Sequence, residues 1–136
     1  TSFNSNVSTW DTSKATDMSS FFYGATSFNQ SIADWNTSSA TTFYAMFYGA
    51  DSFNGNISGW DTSSVTRMED MFQNNDAFNG DISGWNTSEV NDMEGMFSGA
   101  TVFNQNLSSW DTHNVTTMKD VLIGSGVIDK EGKKIK

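Results

Sequence analysis

Apolar residues recur along this chain in columns that are 25 residues apart. The aromatic columns show the period most clearly, and they comprise Phe3, Phe28, Phe53, Phe78 and Phe103 together with Trp10, Trp35, Trp60, Trp85 and Trp110. A fixed period of about 20–50 residues is typical of a solenoid. Because a single unit cannot bury its apolar side alone, neighbouring units are expected to stack into one continuous core.

The second half of each unit predicts a short helix. In the central unit the apolar residues follow a spacing of i, i+3, i+6 and i+7, at Val65, Met68, Met71 and Phe72. This spacing is typical of one face of a helix. Thr62 precedes the apolar residues and can cap the start of the helix, and glycine follows the pair of apolar residues in most units, as at a helix end.

The first half of each unit predicts a short strand, at about Gly55–Gly59 in the central unit. One parallel strand and one helix per 25-residue unit indicate an α/β repeat solenoid. Strands lie about 4.8 Å apart whereas helices need about 8–10 Å, so the array should bend with its sheet on the concave side. The small polar residues that would point outward from this sheet form a candidate binding face: Ser8, Ser58, Ser83 and Ser108, with Ala33 at the equivalent position.

The repeat predicts two regions. Residues 1–124 form a five-unit solenoid that we expect to be truncated at its N-terminal end, because Thr1–Phe3 corresponds to Asp51–Phe53 in mid-unit. The pattern decays after Met118, and residues 125–136 are expected to form a C-terminal cap. Val127 and Ile135 flank a charged turn there that could close a hairpin.

One polar column contains only asparagine, at Asn4, Asn29, Asn54, Asn79 and Asn104. An amide side chain can both donate and accept hydrogen bonds. We expect a buried ladder in which each amide bonds the backbone of its own turn and of the next. This column is therefore interpreted as structural and not as a ligand site.

Charge and composition narrow the classes of partner. The net charge is −9, and residues 1–129 carry 15 acidic and 3 basic residues. Such a surface disfavours nucleic acid and anionic membranes, whose phosphates need basic partners. No apolar run approaches the roughly 20 residues that a membrane-spanning helix needs, so membrane insertion is not expected.

No residue pattern indicates catalysis, so we expect a non-enzymatic protein without a cofactor. The chain contains one histidine, His113, and no cysteine, which leaves no recognisable metal or nucleophile motif. A calcium site at Asp51, Asp76 or Asp81 is the alternative, although no EF-hand loop pattern is present.

The pattern V-T-x-M-x-x-M-F-x-G-A-x-x-F-N-x-x-L-S-x-W-D resembles bacterial surface-protein repeats of about 26 residues, which are relatives of the BspA-like leucine-rich repeats. The resemblance covers nearly residues 1–124, although Phe, Trp and Met stand where leucine is usual. It implies a leucine-rich-repeat-like solenoid on a secreted or cell-surface bacterial protein, with adhesion as the usual role.

These patterns lead to two hypotheses about function. The first is a surface-exposed repeat module that serves as an adhesion surface or a structural spacer. Its partner would be a protein or glycan on a host or neighbouring cell. The alternative is a glycan or small-ligand module that binds on the concave sheet. Weak end-to-end self-association is also expected, because Phe3 and Trp10 would lie on an open end of the array.

Overall fold

The computed structural model describes residues 2–127 of the chain. This part forms a stack of five coils, one per repeat unit, which we number as coil 1 (2–25), coil 2 (26–50), coil 3 (51–75), coil 4 (76–100) and coil 5 (101–125). No helix occurs within 2–127. Among these residues, isolated parallel bridges link Asp17, Thr42, Arg67, Asp92 and Thr117 in sequence.

The predicted α/β, leucine-rich-repeat-like architecture is wrong, because turns replace the helix in every coil. Alternate N–H groups of the expected helix donate to the next coil, as from Asp70 to the Glu94 carbonyl at 2.9 Å. The intervening N–H groups donate three residues back, as from Met71 to the Met68 carbonyl at 3.3 Å. Asp70 itself has a φ of 57°, a left-handed conformation that interrupts a right-handed helix.

Coil spacing gives the physical reason for this correction. The ring centroids of Phe47 and Phe72 are 5.5 Å apart, and those of Trp35 and Trp60 are 6.4 Å apart. Packed helices need about 8–10 Å between their axes, so a helix in each coil would separate these stacked rings. Successive turns return the chain to the interior every three or four residues, which produces the same apolar spacing as a helix.

The strand predicted at 55–59 is also absent. The Trp60 N–H donates to the Ile57 carbonyl at 3.2 Å, which closes a turn where the strand was expected. The Ser58 N–H donates to Oδ1 of Asn56 at 3.0 Å within the same turn. Parallel pairing between coils therefore lies in the half of the unit that was predicted to be helical.

The core is one continuous strip made from the apolar columns. Phe28, Phe53, Phe78 and Phe103 are fully buried, and their rings stack from coil to coil. Each inner tryptophan donates its indole N–H to a carbonyl of the preceding coil, as from Trp60 to Ile32 at 3.0 Å. The tryptophan column thus joins apolar packing to a hydrogen bond that sets the register between coils.

The expected boundary near residue 124 lies at the edge of the described chain. The Gly126 N–H donates to the Ala100 carbonyl at 3.3 Å, so the chain turns back against coil 4. The hairpin predicted within 125–136 falls mostly on residues 128–136, which lie outside the described residues.

Tryptophan substitutions test the stacked architecture. Trp60 is 4% exposed and its ring stacks on Trp35 of the preceding coil, whereas Trp10 is 49% exposed on coil 1. Trp60→Ala should lower the free energy of unfolding by about 3–5 kcal/mol, as for other buried tryptophans. Trp10→Ala should cost clearly less. Denaturant unfolding followed by circular dichroism measures both, and equal losses would contradict an open stack.

Two equivalent glycines test the packing of coil 3 on coil 4. A Cβ at Gly99 would overlap Oδ1 of Asn74, whereas a Cβ at Gly49 would approach only the Gly24 Cα, at 3.9 Å. Both glycines have a positive φ, so replacing either one with alanine carries about the same conformational cost. Gly99→Ala should therefore lower the melting temperature more than Gly49→Ala. Adding Asn74→Gly to Gly99→Ala should remove the excess loss, and an unchanged loss would refute the steric explanation.

Candidate functional site

The asparagine column forms a ladder of hydrogen bonds between coils. Oδ1 of each asparagine accepts the backbone N–H of the next asparagine at 2.9–3.1 Å, from Asn4 through Asn29, Asn54 and Asn79 to Asn104. Asn4, Asn29 and Asn54 are exposed, so the ladder runs along the surface and not through the core as expected. These amides therefore join neighbouring coils in a part of the unit where no backbone–backbone hydrogen bond within residues 2–127 does so.

The four candidate binding serines lie in turns and not on a sheet. Their N–H groups donate to an Asn or Asp side chain two residues earlier at 2.9–3.0 Å, in Ser8, Ser58, Ser83 and Ser108. Because these turns replace the predicted strand, no concave sheet presents the serine column to a ligand.

A second polar column caps a later turn in each coil. Oδ1 of Asp61 accepts the N–H of Ser63 at 3.0 Å and its hydroxyl at 2.6 Å. Asn86 makes the equivalent pair of bonds to Ser88 at 3.0 and 2.7 Å. The hydroxyl bond, followed by the backbone bond, holds the pKa of Asp61 below its ordinary value. The charge is therefore not needed to form this turn.

Exposed tyrosines replace polar residues in two outer columns on coils 1 and 2, and an arginine of coil 3 lies beside them. The rings of Tyr23 and Tyr48 stack with centroids 4.7 Å apart, and the Arg67 guanidinium lies 5.4 Å from the Tyr44 ring centroid. Tyr23 is 55% exposed and Tyr44 is 37% exposed. We call Tyr23, Tyr44, Tyr48 and Arg67 the tyrosine patch. Arg67 also pairs with the Glu69 carboxylate, which holds the guanidinium in place.

An open groove of about 480 Å³ adjoins the tyrosine patch. Its lining residues are Tyr48, Gly49, Asp51, Asn74, Asp76, Gly99 and Thr101. Burial, together with the nearby charge of Asp76, raises the pKa of Asp51. Oδ1 of Asp76 accepts the Thr101 hydroxyl at 3.1 Å. The groove therefore combines one aromatic ring with several hydrogen-bond acceptors.

The three aspartates considered for calcium do not converge. Asp51 and Asp76 line the groove, but Asp81 instead accepts the N–H and hydroxyl of Ser83 in its own turn. Among residues 2–127, no group of three or more His, Cys, Asp or Glu side chains is arranged to hold a metal ion. The described chain also has no helix that is long and apolar enough to span a membrane.

The sequence pattern does not single out the tyrosine patch, because its residues lie in columns that vary from coil to coil and not in the invariant columns. In the column of Tyr44 the other coils carry Ser19, Glu69, Glu94 and Lys119. In the column shared by Tyr23 and Tyr48 the other coils carry Gln73, Ser98 and Ile123. The available signal was that all three tyrosines of the chain fall between residues 23 and 48.

The sequence model of one protein family matches this chain twice, over residues 1–60 and 32–134. The family is described as "Mycoplasma protein of unknown function, DUF285". Searches among curated proteins and among solved structures found no match. The two matches overlap by more than one unit, as expected when the same repeat can align in more than one position.

Asp61 and Asn86 together predict how stability depends on pH. The pKa of Asp61 is lowered by folding, so its contribution is complete above the ordinary value of 3.8 and is lost as pH falls through the lowered folded-state pKa. Asp61→Asn should keep the turn, because Asn86 makes the same bonds in the next coil. The variant should also lose less melting temperature than the wild type when the pH is lowered. Asn86→Asp should increase that loss. Parallel curves of melting temperature against pH for all three proteins would contradict the assignment.

Proposed function

Since the chain belongs to the DUF285 family of repeat proteins, we propose that it is a non-enzymatic adhesion module whose tyrosine patch binds a cell-surface partner. The observation that supports this proposal most strongly is the position of the tyrosines. All three lie on neighbouring coils, in columns that vary from coil to coil and are polar in most of the other coils. In a repeat protein the invariant columns maintain the stack, so variable outward columns are where recognition can differ between units.

The chemistry of the patch suits a protein or glycan partner. Tyrosine and arginine are enriched among residues that dominate binding energy at interfaces. A tyrosine ring offers an apolar face together with a polar hydroxyl, so it can contact both the apolar and the polar parts of a protein or glycan. The Tyr23–Tyr48 stack and the Arg67–Tyr44 contact limit the freedom of these side chains before binding. Less side-chain entropy is then lost when a partner binds.

The scaffold beneath the patch is held at several points in each coil. The Tyr44 carbonyl accepts the Ser20 N–H at 2.8 Å, and the Tyr48 carbonyl accepts the Gly24 N–H at 2.7 Å. The backbone that carries the tyrosines is therefore joined directly to the neighbouring coil. A binding surface on such a rigid element is better organised than one on a free loop.

A non-enzymatic role is supported by the way the acidic groups are used. Most aspartates with a lowered pKa, including Asp11, Asp61 and Asp81, accept hydrogen bonds from a serine two residues later. Their turn geometry accounts for these pKa values without a catalytic role. A location at the cell surface or outside the cell follows from the resemblance to bacterial surface-protein repeats, and kinship with the BspA-like group is part of this proposal.

A glycan is favoured as the ligand class by the groove next to Tyr48. Sugar hydroxyls could donate to the carboxylates of Asp51 and Asp76, and a sugar face could pack on the exposed tyrosine rings. The competing role is that of a structural spacer, which needs the rigid stack but no particular outer residue. An adhesion module needs the tyrosine patch for binding, whereas a structural spacer does not.

A binding comparison tests the adhesion proposal. The labelled chain should bind saturably to at least one member of a glycan array or of a panel of immobilised extracellular-matrix proteins. Tyr44→Ala with Tyr48→Ala should weaken that binding at least about tenfold, as for residues that dominate an interface.

The matched control uses the same two columns on coil 4, with Glu94→Ala and Ser98→Ala, and it should bind like the wild type. No saturable binding to any probe, or equal losses in both double variants, would overturn the tyrosine patch and leave the spacer role.

A further inference from the structure

Two asparagines of the ladder precede glycine, and the structure holds them very differently. They are Asn54, before Gly55 on coil 3, and Asn79, before Gly80 on coil 4. Both pairs follow a phenylalanine, so their immediate neighbours in the sequence are the same. An asparagine side chain reacts most readily with its own backbone in this pair, because glycine has no Cβ to obstruct the approach. Any difference in reactivity between the two pairs must therefore come from the fold.

Hydrogen bonds from coil 5 fix the side chain of Asn79. Nε2 of Gln105 donates to the Asn79 backbone carbonyl at 2.9 Å and to its Oδ1 at 3.2 Å. We call this pair of bonds the glutamine clamp. Gln30 forms the same clamp on Asn4 at 3.0 and 3.1 Å. Nδ2 of Asn79 also donates to Oδ1 of Asn104 at 3.1 Å, so both ends of the Asn79 amide are held.

Asn54 has no glutamine clamp, because the residue at the clamp position on coil 4 is Gly80. Within the described chain, its side chain makes one hydrogen bond, in which Oδ1 accepts the Asn79 N–H at 3.0 Å. Asn54 is exposed, whereas Asn79 is half-buried. The Gly55 N–H has no hydrogen-bond acceptor among residues 2–127. The side-chain amide of Asn54 and the backbone nitrogen that follows it are therefore both available to react.

We propose that Asn54 is a self-modification site, at which the side-chain amide is converted to a carboxylate in the folded protein. The Gly55 nitrogen attacks Cγ of Asn54, and the new N–Cγ bond closes a cyclic imide. The Cγ–Nδ2 bond breaks, and Nδ2 leaves as ammonia with the proton that the Gly55 nitrogen loses. Water is the second reactant, and it opens the imide at either carbonyl. Opening at Cγ gives aspartate, and opening at the backbone carbonyl gives isoaspartate.

The ladder assists the first step at Asn54. Attack at Cγ places negative charge on Oδ1, the atom that accepts the Asn79 N–H. A backbone N–H that is already aimed at a developing oxyanion lowers the barrier to its formation. Asn79 has the same kind of donor, the Asn104 N–H at 3.0 Å, but the glutamine clamp must break before its side chain can move. The clamp therefore separates the reactive asparagine from the protected one.

The two products affect the stack differently. Aspartate keeps Oδ1 and can still accept the Asn79 N–H. Isoaspartate routes the backbone through Cγ, which lengthens the chain by one atom and moves the ladder acceptor away from coil 4. Formation of isoaspartate should therefore loosen the contact between coils 3 and 4. The modification does not depend on the proposed adhesion function, because the ladder and the tyrosine patch share no residue.

Peptide mapping by mass spectrometry tests the proposal on the full chain. Trypsin cleaves after Arg67, so Asn54 and Asn79 fall on different peptides. When the folded chain is incubated at mildly alkaline pH below its melting temperature, Asn54 should be converted at least about tenfold faster than Asn79, because the clamp bonds must break first at Asn79. In denaturant the two rates should be similar. Aspartate and isoaspartate should both form at Asn54, since an imide opens at either carbonyl.

A substitution on the next coil separates the effect of the fold from that of the local sequence. Gly80→Gln places a glutamine at the clamp position against Asn54 and leaves the Asn54–Gly55 pair unchanged. It should slow the conversion of Asn54 at least about tenfold. The matched control is Gly80→Ser, which adds a side chain that cannot form the clamp and should leave the rate at Asn54 unchanged. Gln105→Ser removes the existing clamp and should speed the conversion of Asn79.

Several outcomes would overturn the proposal. Equal rates at Asn54 and Asn79 in the folded chain would show that the clamp has no effect, and conversion of Asn54 only in denaturant would exclude a reaction of the folded protein. Aspartate without isoaspartate would indicate direct hydrolysis by water in place of the imide. Thermal melts establish that each variant is folded. An unchanged rate at Asn54 in folded Gly80→Gln, together with an unchanged rate at Asn79 in Gln105→Ser, would refute the role of the clamp.

Discussion

The close spacing of neighbouring coils is the constraint on which the rest of this structure depends. Aromatic rings in the phenylalanine and tryptophan columns stack with centroids about 5.5–6.5 Å apart. At that spacing each backbone segment can reach the next coil, and alternate N–H groups donate to it. A helix would satisfy its own backbone, but it would hold the coils too far apart for the rings to remain in contact. Turns are the conformation that preserves both the stacking and the hydrogen bonds.

Side chains complete the joining of coils where the backbone does not. The hydroxyl of Thr62 donates to the Asn86 carbonyl at 2.9 Å, and Oδ1 of Asn54 accepts the Asn79 N–H at 3.0 Å. Trp60 adds an indole hydrogen bond from inside the core. The threonine, asparagine and tryptophan columns are each uniform because every coil must make the same bonds to its neighbour. The columns that carry the tyrosines do not make one repeated side-chain bond between coils, so they are free to carry different residues in different coils.

This separation of structural columns from variable columns bears on the proposed adhesion function. A lateral surface built from variable columns can acquire a tyrosine patch without disturbing the stack. Substitutions in the tyrosine patch should therefore change binding while leaving the stack of coils intact.

The sequence by itself determined the period, the five units and the residues of the core, because one apolar side chain per column must face the interior of every coil. It also identified the asparagine column, although not its surface position. Only the tertiary structure decided between helix and turn at residues 65–72, because both conformations return apolar residues to one side every three or four positions. Contact with the adjoining coils resolves this ambiguity. The same is true of the tyrosine patch, since Tyr23 and Tyr48 are distant in sequence and meet only when coils 1 and 2 stack.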